Sequence, residues 1–380
     1  MPPRFSTLSE VARWYERWLA DAALPLWAGV GVDPAGGLFQ ETLSIDGRPV
    51  EAPRRARAQA RQVFVFASAA TAGYGERWLP VARAGWARFA AVYRRPDGLF
   101  INSASGDGAP LDAGADVYEQ AFVLLAMAAL QAADPAAGDL AGEAERVLAA
   151  LEPRRIPAGG FREAGPHPFQ ANCHMHLFES ALAWEAAGEA RWAALSDEIA
   201  QLALSKFIDP TTGALREFFD ADWQALAGEG GLVEPGHQFE WAWLLERWGQ
   251  ARGEAAARAA AGRLFQNGLR GVDPVREVAV NALWDDFSVR DGAARLWPQT
   301  EHVKAAVLLG DEAQGVRAAR GLAQYLDVPA RGAWRDKLRQ DGTFVEEPAP
   351  ATSFYHLMTA ILELTAHRPA AAGMQPGGAS

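Results

Sequence analysis

Gly37-Leu38-Phe39-Gln40-Glu41 is a glycine followed by two apolar and two polar residues, too short to be an element in its own right. It separates stretches whose apolar residues recur every three to four positions, and its pattern returns along the chain. The further copies are Gly98-Leu99-Phe100, Gly160-Phe161-Arg162-Glu163, Gly213-Ala214-Leu215-Arg216-Glu217, Asn281-Ala282-Leu283-Trp284-Asp285 and Gly332-Ala333-Trp334-Arg335-Asp336. A return every ~50–70 residues marks repeated supersecondary units.

Outward from these turns the helical period dominates. Leu8, Val11, Trp14, Tyr15, Trp18 and Leu19 form an amphipathic stripe, with Thr7 and Glu10 at capping-box spacing. Similar stripes predict helices near residues 56–72, 77–94, 115–133, 138–152, 174–188, 192–207, 236–249, 253–269, 297–310, 313–326 and 353–366. A helical hairpin buries its apolar face only on its neighbours, so six of them either stack into an open superhelix or close into a ring. An open array needs polar end caps, and the terminal units do not differ clearly from the middle ones. The expectation is an all-α (α/α)6 barrel over residues 1–368, six helical hairpins closed into a toroid. Short turns or β-hairpins would sit at one rim, and the inner helices would surround a pocket. The Gly- and Ala-rich stretch 369–380 reads as a disordered tail.

Hydrophobic residues make up 49% and charged residues 22% of the 380, ordinary for a soluble protein with a large core. The net charge of -11 comes without any Lys/Arg run, which argues against a nucleic-acid partner. Cys173 alone makes no internal disulfide, and the opening Met-Pro-Pro-Arg-Phe lacks the apolar stretch of a signal peptide, so a cytoplasmic location is expected. No apolar run approaches the ~20 residues that span a bilayer, so no membrane partner is expected. The sequence leaves monomer and homodimer open.

Several segments carry residues suited to chemistry. In Glu234-Pro235-Gly236-His237-Gln238-Phe239-Glu240-Trp241, His237 and Glu240 share a helix face at i,i+3, so the carboxylate could orient the ring. A helix-start His beside a solvated Glu explains the spacing equally well. His174 and His176 form an H-x-H pattern, but residues two apart on a helix face different ways, so at most one points into a pocket and a metal site is disfavoured. His176 is the one read as inward. Trp297-Pro298-Gln299-Thr300-Glu301 reads as a helix start with Glu301 near the positive end of the dipole, a structural explanation sufficient by itself. Ser353-Phe354-Tyr355-His356 opens the last helix, with Ser353 as N-cap and His356 off the apolar stripe. Arg54, Arg55 and Arg57 read as solvated charges. Arg61 lies among Val63, Phe64 and Phe66, where a buried guanidinium needs an anionic or hydroxyl partner. The fourteen Trp suit sugar binding, though core packing is their commoner use.

Taken together, Gln59-Ala60-Arg61-Gln62, Asp116-Val117-Tyr118, Asn172 with His174-Met175-His176, Gly236-His237-x-x-Glu240-Trp241, Trp297-Pro298-Gln299-Thr300-Glu301 and Ser353-Phe354-Tyr355-His356 are similar in order and spacing to the N-acylglucosamine 2-epimerase superfamily. They most resemble its aldose-ketose isomerase branch, which includes mannose isomerases. The resemblance implies an (α/α)6 barrel working without metal or organic cofactor, with His237 and His356 moving protons beside the sugar carbonyl. It implies substrate-binding or orienting roles for Arg61, Tyr118, Asn172, His176, Glu240, Trp297 and Glu301. Cys173 stands where the family pattern has Pro.

The leading expectation is interconversion of D-mannose and D-fructose, or of lyxose and xylulose, through a cis-enediol, a task for imidazoles with pKa near the working pH. The first alternative is a sugar 2-epimerase, which returns the proton to the opposite face of C2. The second is a mannose-6-phosphate isomerase, for which the sequence shows no obvious Arg/Lys cluster at a pocket rim. A glycoside hydrolase with two carboxylates, or a non-catalytic sugar-binding protein, would leave the two His unexplained.

Overall fold

The computed structural model describes residues 5–226 and 231–367; the expected tail 369–380 lies outside them. Thr7 and Glu10 form the predicted capping box at the start of α1, Leu8–Trp18. Helix continues beyond the predicted end at Leu19: a wide turn over residues 19–23 leads into α2, Leu24–Gly29. Pro25 lies just past that turn, where a regular helix would clash with its ring. The other helices are α3 Ala56–Thr71, α4 Trp78–Tyr93, α5 Val117–Ala133, α6 Leu140–Leu151, α7 Ala171–Ala186, α8 Ala193–Leu202, α9 Pro235–Arg252, α10 Ala255–Leu269, α11 Trp297–Leu308, α12 Glu312–Ala323 and α13 Thr352–Ala366. Each predicted stripe is a helix. The start of α7 at Ala171, three residues before the expected 174, brings Asn172 into it.

Helices α3, α5, α7, α9, α11 and α13 pack in succession, and α13 returns to pack on α3. The ring is therefore closed, the alternative favoured by the absence of distinct end caps. These inner helices are buried on nearly every face, whereas α1, α4, α6, α8, α10 and α12 form an outer layer with one buried stripe. The core lies between the layers.

The turns recur because one hydrogen-bonding device recurs. Gln59 in the first turn of α3 receives the N–H of Phe39 at 2.8 Å and donates to its carbonyl at 2.8 Å. Gln120 on α5 does the same with Phe100, Gln238 on α9 with Leu215 and Gln299 on α11 with Ala279. Each amide satisfies a buried backbone pair that no ladder reaches, which fixes the turn on the next helix. The fifth unit is clamped at Ala279, two residues before the turn read from sequence. Short antiparallel ladders complete the rim; Thr42–Leu43 pairs with both Pro49–Val50 and Ala349–Pro350, joining the two ends of the chain.

Candidate active site

All the inner helices begin at the same mouth of the toroid, and their first two turns line a cavity of about 780 Å³. Arg61, Tyr118, Asn172, His176, His237, Glu240, Trp297 and His356 all face it. Residues far apart in sequence meet because each occupies an equivalent place near the start of its helix. Glu301 is not on the wall; it is fully buried behind His356. Only Trp297 of the fourteen Trp is among the lining residues, and most of the others pack in the core.

The two imidazoles flank the Trp297 indole, with ring centres 5.1 Å away for His237 and 5.7 Å for His356. His356 Nδ1 lies 2.8 Å from Glu301 Oε1. His237 Nδ1 lies 2.9 Å from Glu217 Oε2. Each carboxylate holds a proton on Nδ1 and leaves Nε2 for the cavity. Glu240, expected to orient His237, instead lies 3.9 Å from His176. Glu217 takes that place because its turn is folded against the start of α9. Its signal was present in the sequence: five of the six turn copies end on an acidic residue, Glu41, Glu163, Glu217, Asp285 and Asp336.

The surroundings shift the two imidazoles in opposite directions. Burial opposes the charged form of His237, but Glu217 and then Glu234, at 4.0 Å, outweigh it and push the pKa up to about 9. Burial also raises Glu217, with His237 opposing; the second carboxylate, Glu234, places the shared positive charge on the ring. For His356 burial acts with the positive charges of Arg61 and Lys304, and its pKa falls well below the ordinary value. His237 is therefore an imidazolium with an Nε2–H, and His356 a neutral ring with an Nε2 lone pair. His176, pulled down to about 4 by burial, is also neutral.

Arg61 donates to the Thr352 carbonyl and the Tyr118 hydroxyl, both at 3.1 Å, and lies over the Phe122 ring at 3.9 Å. No carboxylate of the described residues pairs with it, so its charge is available to the cavity. Burial, and then Glu301, raise the Glu240 pKa well above the carboxylate range, which makes that side chain a hydroxyl donor.

Several expectations are corrected. Arg54 is buried against Asp33 at 2.8 Å rather than solvated. Arg55 and Arg57 line the cavity with Arg295 and Lys337, so a cationic rim exists that the sequence did not reveal. All four are paired, with Glu41, Glu119, Glu234 and Glu347 respectively. Ser353 lies within α13 and donates to Asp336 at 2.9 Å rather than capping the helix. His174 points away from the cavity and receives the Phe161 N–H on Nε2 at 2.9 Å, taking the role that Gln plays in four other repeats.

Two trios, His176/Glu179/Glu240 and Glu240/Glu301/His356, bring ligand-type atoms within 4.8 Å of one another. A cation already balances them: Lys304, fully buried, places Nζ 2.7 Å from Glu301 Oε2. Neither trio is assigned to a metal. The sequence offered Lys304 only as the i,i+3 neighbour of Glu301.

Residues 37–360 match the sequence model of the N-acylglucosamine 2-epimerase family. The chain is 48% identical over 366 residues to a mannose-6-phosphate isomerase of Rhizobium meliloti (strain 1021), covering 91% of this chain and 95% of the relative. It is 29% identical over 290 residues to a D-mannose isomerase of Thermobifida fusca, covering 66% and 68%. A crystal structure of D-mannose isomerase superposes with a TM-score of 0.85 at 21% identity, over 96% of this chain and all of the other, a likeness of fold.

Proposed function

The chain belongs to the N-acylglucosamine 2-epimerase family and is a sugar isomerase, and from that premise we propose that it interconverts D-mannose and D-fructose through a cis-enediol. One observation carries the reading: two imidazoles held alike by carboxylates beside Trp297, in surroundings that favour a proton on His237 and oppose one on His356. An aldose-ketose isomerase needs such a base and acid at once.

In the open-chain aldose, His356 Nε2 takes the proton from C2. The C2 electron pair forms the C1–C2 double bond, and the carbonyl electrons move onto O1, which receives a proton from His237. The enediol then accepts a proton at C1 from His356 and gives up the O2 proton to His237, leaving the ketose. Arg61 stands over the region where O1 and O2 carry negative charge, and six helix N-termini converge there, so the site is arranged before the charge develops. Asn172, Tyr118, His176 and the neutral Glu240 supply hydrogen bonds to the remaining hydroxyls. Lyxose and xylulose differ only beyond the reacting carbons.

A second reading, mannose 6-phosphate as substrate, is favoured by Arg55, Arg57, Arg295 and Lys337 on the same cavity and by the name of the 48%-identical relative. The pairing of every rim cation with a carboxylate supports the uncharged sugar. The test is to incubate EDTA-treated protein with D-mannose or mannose 6-phosphate in D2O and follow products and C1/C2 deuterium by NMR. Fructose formation at the higher kcat/KM supports the first reading, and preference for the phosphate ester the second. Early epimer without ketose would replace both with a 2-epimerase.

A further inference from the structure

Lys304 is the least expected side chain in the molecule. It is fully buried, beneath the floor of the catalytic cavity and over the Trp243 ring at 3.9 Å, and that ring faces a second cavity at the opposite mouth. An ammonium sealed from water is retained only where dense counter-charge replaces its hydration. Here the Glu301 carboxylate on its own helix supplies that, with the Glu179 carboxylate from α7 also acting on it. The Glu301 carboxylate is divided: Oε2 faces Lys304 at 2.7 Å and Oε1 faces His356 Nδ1 at 2.8 Å.

We propose that Lys304 is a positioning residue for the isomerisation, its ammonium fixing the Glu301 carboxylate so that Glu301 holds the His356 ring with Nδ1 protonated and Nε2 open to the sugar. The inference rests on the isomerase reading with His356 as base. Lys304 acts through Glu301 and touches no reacting atom. Its charge also disfavours a second proton on His356, together with Arg61. The other titratable groups facing this pair are Tyr118 on α5, His176 and Glu179 on α7, Glu240 on α9 and Tyr355 on α13. Tyr355 donates to Glu179.

The test combines kinetics with an NMR readout that does not need turnover. In 15N-histidine-labelled wild-type protein, with His356→Asn identifying the signal, His356 is expected as the neutral Nδ1–H tautomer from pH 8 down to the acid limit of folding. A charged ring at neutral pH, or the Nε2–H tautomer, overturns the proposal whether or not any variant folds. In Lys304→Met, which keeps the volume and removes the charge, kcat should fall about 10–100-fold, as loss of a residue supporting a ligand does elsewhere. KM should stay near wild type, the acid limb of kcat should move to higher pH, and the His356 signal should show mixed tautomers. Lys304→Arg should restore the limb. Lower stability with unchanged limb and tautomer would reduce Lys304 to a structural ion pair and sink the inference. If wild-type protein converts no sugar while His356 shows the expected tautomer, the functional reading fails separately.

Discussion

The two histidine–carboxylate pairs are alike in local chemistry and differ in charge. His237 with Glu217 and His356 with Glu301 each have an Nδ1 contact just under 3 Å, burial, and the Trp297 ring nearby. They differ one layer out. Behind His237 stands another carboxylate, Glu234; behind His356 stand Arg61 and Lys304. A catalytic imidazole is therefore defined less by its hydrogen-bond partner than by the charge behind it, since at low dielectric both effects reach several ångströms.

The comparison breaks most decisively by deleting each ring. His356→Asn should lower kcat by about 10²–10⁴-fold and remove deuterium uptake at C2. His237→Asn should lose ketose formation yet keep relatively more C2 exchange, because the base remains. Equal loss of exchange in both would erase the assignment of base and acid. Next in size is the pH profile. The proposed mechanism requires neutral His356 and protonated His237, so activity should fall as pH rises through about 9, where His237 loses its proton. Glu217→Gln removes the main partner that raises this pKa and leaves burial, which lowers it. The alkaline limb should then move down by roughly 1–3 pH units, and an unmoved limb would assign it to another group. The smallest effect is expected at His174, two residues from His176 but in the clamp position of its repeat. His174→Ala should cost ~1–3 kcal/mol of unfolding free energy for the orphaned Phe161 N–H, read by urea titration, with kcat unchanged. His174→Gln should recover much of this, because Gln fills the same place in four other helices. A loss of kcat in His174→Gln would show that His174 is more than structural.

His174 and His176 also show how far sequence reasoning reaches. Their spacing on one helix told that they diverge, and the helical stripe told which one turns inward. The same local logic placed His237, His356, Trp297 and Arg61 near the start of a helix, and the family resemblance gave them their expected roles. It failed for Arg54, Arg55 and Arg57, which look like ordinary solvated charges until folding brings up their acids, Asp33 and Glu41 from the loop before α3 and Glu119 from α5.

What the sequence by itself determined is the set of helices, the six-fold repeat and the residues that start the inner helices, while closure of the ring was completed by α13 packing on α3. Those follow from periodicity and turn chemistry, which act over a few residues along the chain. The tertiary structure alone decided that Glu217 rather than Glu240 holds His237, that Lys304 lies sealed behind Glu301, and that one imidazole is charged and the other neutral. Those outcomes depend on through-space distances between groups 20 and 55 residues apart and on exclusion of water around them, and neither is written in local spacing.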